Sequence, residues 1–227
     1  MDGRLRLEAG GRCVVGLSTI YRAVARGDLD PPGREPLRRP LRRRGRRPRR
    51  GRAGAGGRIR AQHELSERPA EAGARSRLGD RGADTVVGPG GACLVTPVDR
   101  ASGLPVGGRS AGRSRPGVGD ALVAALSGRP PETVTPGRGK ELANNDEVSG
   151  RIGGVQFCFC QAHHPWEKGT NENTSGPLRE FFPKGTDFSE VSGEEVERAC
   201  GLINDRPRKV LGYRTANEVY REMLHSA

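Results

Sequence analysis

The chain has 227 residues, of which 33% are hydrophobic and 4% aromatic, and its formal net charge is +12. This length suits one domain of ordinary size, with or without a tail. No stretch has the length of a membrane span and the first residues lack the apolar run of a signal peptide, which excludes a membrane role and predicts a cytoplasmic protein. Five irregularly spaced cysteines are not typical of a disulfide framework and favour a reducing compartment.

Aromatic residues and positive charge lie in different parts of the chain. Eight of the nine aromatic residues follow residue 156, so we expect the packed core toward the C-terminus and a mostly disordered basic N-terminal region. Residues 34–60 contain thirteen arginines and one acid. A block of this kind binds polyanions by neutralising phosphates and releasing counterions. The alternative is a solvated basic tail without a dedicated target.

The N-terminal third holds one predicted helix, residues 16–27, with Ser18 or Thr19 as its cap. Ile20 and Val24 share one face of this helix, next to Tyr21. It could be the last helix of a helix-turn-helix, although a single helix is weak support for that motif. Proline, glycine and arginine dominate residues 28–62, which predicts a linker.

The middle of the chain begins with two β-branched runs, residues 84–88 and 92–99, joined by the turn sequence GPGG. This pattern predicts a β-hairpin with Asp84 opening its first strand. Pro97 removes a ladder donor, so we expect it to interrupt the second strand. The patterns that follow predict, in chain order, a helix at 119–128, a strand at 132–135, a helix at 140–153, a strand at 154–160 and a helix at 169–182.

Two further helices near the C-terminus each open with a capping box. Ser192 and Glu195 form the first box, and Thr215 and Glu218 form the second. The first of these helices carries one apolar stripe, made of Val196, Ala199, Cys200 and Ile203. A hairpin followed by alternating helices and strands, and then by helices, predicts an α/β fold with a mixed sheet flanked by helices.

Two ligand-binding motifs are disfavoured. The segment GRGKE at 137–141 lacks the upstream glycine and the hydroxyl residue of a phosphate-binding loop. Cys158, Cys160, His163 and His164 lie close in sequence, but the Cys-x-x-Cys knuckle of a zinc site is absent. We therefore expect the two cysteines to be ordinary half-buried strand residues.

Two carboxylates suit metal-dependent phosphodiester chemistry. Asp84 lies on a strand and Glu172 near the start of a helix after the last strand, which are positions where nucleases hold two magnesium ions with oxygen ligands. Arg179 follows Glu172 by seven residues, close to two helical turns, so it lies on the same face and can reach a DNA phosphate. The alternative is an ordinary surface ion pair.

Several segments resemble the catalytic core and the C-terminal end of bacterial DDE transposases of the insertion-sequence-thirty family. The core segments are ADTVVG, GACLVT, VDR, ETVTPGRGKELAN and HHPWEKGTNENTSGPLREFFPKGTDFSEVS, and the C-terminal segment is LINDRPRKVLGYRTANEV. The resemblance covers residues 65–225, with weaker similarity at STIYRA and in the arginine-rich stretch. It implies an RNase H-like fold similar to that of retroviral integrases, a two-ion Mg²⁺ or Mn²⁺ site, and cutting and joining of DNA ends.

The resemblance assigns roles position by position. Asp84 matches the first catalytic aspartate, in a context that is normally Gly-His-Trp-Glu-Gly-Asp and reads GDRGAD here. Glu172 matches the catalytic glutamate, so both acids are expected to be catalytic metal ligands. Arg179 matches the basic residue two turns later, and it and Lys140 are expected to contact DNA. The second aspartate belongs in a Thr-x-Asp-Arg-Gly-Lys-Glu segment, where Gly137 stands.

Other departures suggest a truncated, degenerate copy of such a transposase. Pro177 falls inside the helix expected around Glu172, where it would cost about 3 kcal/mol. We therefore expect a helical DNA-binding remnant at 1–33, an arginine-rich linker at 34–64 and the catalytic core at 65–227, with impaired activity. The alternative function is non-catalytic nucleic-acid binding through the arginine-rich segment.

The expected partners are DNA, as element ends and target, and possible further copies of this chain, in a bacterial cytoplasm and associated with the nucleoid. The expected DNA-contacting residues of the linker are its arginines Arg38, Arg39, Arg42, Arg43, Arg44, Arg46, Arg47, Arg49, Arg50 and Arg52.

Overall fold

The computed structural model describes residues 2–33, 63–137, 139, 142, 144–160 and 176–226. The chain divides into two compact units. One comprises Met1–Gly54 with Pro207–Arg214, and the other comprises Ala55–Arg206 with Thr215–Ala227. The domain boundaries expected after residues 33 and 64 stay a prediction. No helix in the described part of the chain is long and apolar enough to cross a membrane.

The first unit contains two described helices, Asp2–Glu8 (α1) and Leu17–Arg26 (α2). Helix α2 confirms the predicted helix, with Val24 buried and Tyr21 54% exposed. The predicted hydroxyl cap is wrong. Gly16 caps the helix instead, because its extended backbone lets its carbonyl oxygen accept hydrogen bonds from the N–H groups of Thr19 and Ile20. Helix α1 was not predicted.

The second unit is built on a mixed sheet. The described strands are His63–Glu64 (β1), Asp80–Val87 (β2), Cys93–Asp99 (β3), Gly108–Ser110 (β4), Thr133–Pro136 (β5) and Gln156–Phe159 (β6). Their order is β1-β6-β5-β2-β3-β4. The β2–β3 and β3–β4 pairs are antiparallel, and the three pairs that join β2, β5, β6 and β1 are parallel. Strand β1 falls within the expected linker and was not predicted.

Helices lie against this sheet. Their bounds are Ala70–Ala74 (α3), Arg115–Leu126 (α4), Asn145–Arg151 (α5), residues 176–181 (α6), Gly193–Asn204 (α7) and Ala216–His225 (α8). Both predicted capping boxes are confirmed at α7 and α8. Helix α4 begins four residues earlier than expected, because Ser114 accepts a hydrogen bond from the N–H of Gly117 and Pro116 occupies the first turn. The sequence and the structure therefore agree on the fold class.

The predicted hairpin is confirmed, but two of its details are not. Strand β2 begins at Asp80, so Asp84 is an interior residue and does not open the strand. Pro97 does not interrupt β3, which pairs with β2 along its whole length. The N–H of Val106 donates to Pro97 O at 2.9 Å. The backbone N and O atoms of one strand residue point to the same side of the strand. The N–H group that Pro97 lacks would therefore point toward Val106 and not toward β2, so its absence does not disturb the pairing with β2.

The main core cluster joins the hairpin to α6 and α7, as the aromatic distribution predicted. Its buried members are Val86, Ala92, Leu94, Leu178, Phe182, Phe188, Val196, Ala199, Cys200 and Ile203. The predicted apolar stripe of α7 supplies four of them. Phe182 and Phe188 pack edge to face, with ring centroids 5.9 Å apart.

A close approach between α4 and β4 depends on Gly108. A Cβ atom at this position would overlap the carbonyl oxygen of Ala121. We expect Gly108→Ala to lower the free energy of unfolding by about 1–3 kcal/mol, because the helix must shift away from the strand. Gly112→Ala is the matched control, since a Cβ there meets nothing within 4 Å. Urea denaturation of both variants measures the effect, and equal stabilities would contradict it.

Candidate active site

Asp84 is the fifth residue of β2 and lies, partly exposed, between β5 and β3. Its partner on β3 is Thr96, whose hydroxyl donates to the backbone oxygen of Asp84 at 3.3 Å. Because alternate residues of a strand face the same side, Asp80, position 82 and Asp84 share one face of the sheet. The interior of a paired strand holds the Asp84 backbone in place and leaves its side chain on this face.

Gly137 lies beside Asp84. The last pair of β2 and β5 joins Ala83 to Pro136, so the next residues along the two parallel strands are Asp84 and Gly137. Cross-strand neighbours project to the same face of a sheet. A carboxylate at position 137 would therefore stand next to that of Asp84, whereas the buried glycine offers no side-chain oxygen.

Position 82 is a second place on the same face where a glycine supplies no side-chain oxygen. Gly82 pairs with Thr135, whose hydroxyl is buried and has no hydrogen-bond partner among the described residues. One pleat earlier the same arrangement is complete, since the hydroxyl of Thr133 donates to Asp80 at 2.6 Å. In the family that the sequence resembles, the residue at position 82 is a glutamate. Its carboxylate would lie next to the Thr135 hydroxyl and could accept a hydrogen bond from it. Sequence reasoning missed this pairing because it depends on the register of β2 against β5.

Arg179 lies on α6 and reaches the end of β2. Its Nη2 donates to the backbone oxygen of Val87 at 3.1 Å, and its Nη1 donates to that of Pro183 at 3.5 Å. Val87 is three residues from Asp84, so Arg179 links α6 to the strand that carries the aspartate. The expected contact between Arg179 and DNA stays a prediction.

Several predicted site residues lie outside the described residues. They include Glu172, Lys140 and all the arginines expected to contact DNA in the linker. Pro177 lies near the start of the described part of α6, but residues 173–175, which follow Glu172, are not described. Their roles therefore remain predictions from the sequence.

The described residues do not supply a two-ion metal site. Two divalent cations at close range repel each other and need bridging carboxylates. On this face the described residues place Asp84 beside a glycine, and they contain no group of three His, Cys, Asp or Glu side chains that could hold a metal. Asp120 and Asp146 lie on α4 and α5, within the helices that the sequence predicts at 119–128 and 140–153. Asp120 forms an ion pair with Arg151, with 2.6 Å between Asp120 Oδ1 and Arg151 Nη1.

The two strand cysteines are more buried than expected, with 0% exposure for Cys158 and 3% for Cys160. Both faces of β6 are covered, because its neighbour Phe157 is also buried. Burial raises the pKa of Cys158 to about 11, which keeps its thiol protonated at neutral pH.

A buried ion pair that no sequence pattern indicates lies at the base of the hairpin. Arg81 is 1% exposed and its Nη1 lies 3.8 Å from Asp99 Oδ2. The Nε and Nη1 atoms of Arg81 have no hydrogen-bond partner among the described residues. In the family that the sequence resembles, the residue at this position is a tryptophan. A guanidinium in this place leaves buried donors unsatisfied, which is costly.

Comparison with known proteins identifies relatives among transposases. The chain is 36% identical over 228 aligned positions to the transposase for insertion sequence element IS4351 of Bacteroides fragilis, covering 98% of this chain and 68% of the relative. It is 34% identical over 158 positions to the transposase InsI for insertion sequence element IS30A of Escherichia coli (strain K12). That alignment covers 68% of this chain and 41% of InsI. No family model matches the chain.

The fold resembles that of a retroviral integrase core. The catalytic core domain of BIV integrase superposes with a TM-score of 0.50 and 14% sequence identity, covering 64% of this chain and 95% of that domain. At this identity the likeness concerns the fold alone. The mixed sheet with flanking helices therefore has the RNase H-like architecture that the sequence resemblance implied.

Proposed function

The chain belongs to the insertion-sequence-thirty family of bacterial DDE transposases, and from this membership we propose that its site descends from one that cuts and joins DNA ends. The reaction of such a site is cleavage of a phosphodiester bond followed by transfer of the new 3′ end to a second DNA. DNA is accordingly the proposed partner, as element end and as target. Assembly of several copies and association with the nucleoid belong to this proposal.

The roles proposed for individual residues follow from their positions. Asp84 and Glu172 are the proposed metal ligands, and Mg²⁺ or Mn²⁺ the ions that suit their oxygen atoms. Arg179 and Lys140 are proposed to hold DNA phosphates. The contact between Arg179 and Val87 O supports a position for this side chain close to the strand of Asp84.

We further propose that catalysis is impaired. The observation that carries this proposal is the glycine at position 137, one residue beyond the Ala83–Pro136 pair and beside Asp84. Loss of a group that merely supports a metal ligand typically costs about 10- to 100-fold in affinity or activity, so loss of a ligand itself should cost at least that much. Cleavage of supercoiled DNA by the full chain in Mg²⁺ tests this proposal, and efficient cleavage would refute it.

A second candidate function is non-catalytic binding of nucleic acid. The observation in its favour is the charge of residues 34–60, which hold thirteen arginines and one acid. These residues include no aromatic or amide side chain suited to reading bases, so binding should be indifferent to DNA sequence.

We expect the arginine-rich segment to dominate DNA affinity. Replacing the ten arginines between positions 38 and 52 by glutamine should reduce the slope of log affinity against log salt, because each lost phosphate contact removes about 0.9 from it. The matched control replaces the same ten by lysine, which keeps the charge and should keep most of the slope. Fluorescence anisotropy on two unrelated duplexes measures both variants. An unchanged slope in the glutamine variant would show that the affinity resides elsewhere.

A further inference from the structure

Three arginines surround the short helix α3. Arg100 directly follows β3 and is 8% exposed. Its backbone N–H donates to Asp80 O and its Nε donates to Ala72 O, both at 2.9 Å. Arg68 precedes α3, and Arg75 is its C-cap, with a φ of 58°. We call Arg68, Arg75 and Arg100 the α3 arginine cluster.

The charges of Arg68 and Arg75 act unfavourably on Arg100. Burial, together with the charges of Arg68 and Arg75, lowers the pKa of Arg100 to about 10. Asp80, a buried carboxylate that attracts Arg100, already forms an ion pair with Arg77 at 3.0 Å and accepts a hydrogen bond from the Thr133 hydroxyl at 2.6 Å. The cluster therefore favours an additional anion.

An unsatisfied donor lies in the same cluster. The Nη1 atom of Arg68 is buried and has no hydrogen-bond partner among the described residues. A buried donor without an acceptor is unfavourable, and hydrogen bonds from a guanidinium to an anionic oxygen are among the strongest in proteins. Arg68 is only half-buried as a residue, so a small rotation of its long side chain can bring this donor to a bound anion.

Asp80, a carboxylate that attracts Arg100, and Asp84 are four residues apart on β2, so their side chains face the same side of the sheet. Four strand residues span about 13 Å at about 3.3 Å each. The backbone of Asp80 accepts a hydrogen bond from Arg100, so the cluster lies on the order of 13 Å from Asp84 along β2.

We propose that the α3 arginine cluster is a binding site for a phosphate group, with Arg68 and Arg75 contacting its oxygens and Arg100 supplying charge from beneath. The phosphate can be a free ion or a phosphodiester of DNA. The DNA assignment rests on the proposed function, whereas the phosphate site itself does not.

The test uses the full chain and inorganic phosphate as the probe. Phosphate should raise the melting temperature more than chloride does at equal ionic strength. In Arg68→Gln/Arg75→Gln, which leaves the buried Arg100 in place, phosphate affinity derived from this shift should be about tenfold weaker or more. Arg113→Gln/Arg129→Gln is the control, because it removes the same charge at two exposed positions and should keep the wild-type shift.

Salt-dependent binding of a short duplex distinguishes the two sources of phosphate. A slope reduced by about 0.9 or more in Arg68→Gln/Arg75→Gln, but not in the control, identifies a DNA phosphodiester. If phosphate no longer raises the melting temperature of Arg68→Gln/Arg75→Gln but the salt slope of duplex binding is unchanged, the ligand is a free phosphate, and the site is still supported. Equal phosphate shifts in both double variants would overturn the proposal. Neither measurement depends on DNA cleavage. A failure of the proposed function, which is tested by cleavage, can therefore be distinguished from a failure of the phosphate site.

Discussion

The unmodified protein is expected to cleave DNA carrying the element's ends at or near background, and Gly137→Asp to bind Mn²⁺ at least about tenfold more tightly than wild type. The reason is geometric. Position 137 directly follows the β5 residue that pairs with Ala83, so an aspartate there stands beside Asp84 on the same sheet face.

Isothermal titration with Mn²⁺ measures the affinity, and Gly137→Asn is the matched control because it adds a side chain of the same shape without the charge. Recovery of cleavage can also require Pro177→Leu, if the proline distorts the helix expected around Glu172. Glu172→Gln shows whether any cleavage depends on the predicted ligand. Robust Glu172-dependent cleavage by the unmodified protein would contradict the impairment, and equal Mn²⁺ affinities of the aspartate and asparagine variants would contradict the geometry.

A large loss of stability is expected from Asp99→Ala, of about 3–5 kcal/mol. Asp99 is fully buried and accepts hydrogen bonds from the Gly79 N–H, the Ser102 N–H and the Ser102 hydroxyl at 2.9, 2.8 and 2.7 Å. Its removal leaves these donors without their acceptor. It also leaves the buried guanidinium of Arg81 without its counterion.

Asp120→Ala is the matched control, since it makes the same substitution in an ion pair that is shorter but exposed. Asp120 lies 2.6 Å from Arg151, against 3.8 Å for the Asp99–Arg81 pair, but its side chain is 62% exposed. Solvent screens an exposed pair, so we expect a loss below about 1 kcal/mol. Guanidinium denaturation of the two variants shows whether burial or the distance between the charged atoms determines the loss of stability. A greater loss in Asp120→Ala would show that distance dominates.

Short-range features of this protein were predictable from its sequence. The two capping boxes each join residues three positions apart, so they form wherever the local helix forms. The hairpin has a similar origin, because the glycine-rich turn brings adjacent β-branched runs together. The roles proposed for Asp84 and for position 137 come from the family resemblance, which depends on local strings of residues.

Contacts between distant segments required the tertiary structure. The Gly82–Thr135 pair joins residues 53 positions apart, and only the parallel register of β2 and β5 brings them together. The continuity of β3 through Pro97 depends on which side of the strand its missing donor faces, and Val106 decides this. The burial of Arg81 and the gathering of Arg68, Arg75 and Arg100 around α3 likewise result from packing. Charge composition sets how many arginines the chain carries, whereas the fold determines which of them lose contact with water and need an anionic partner.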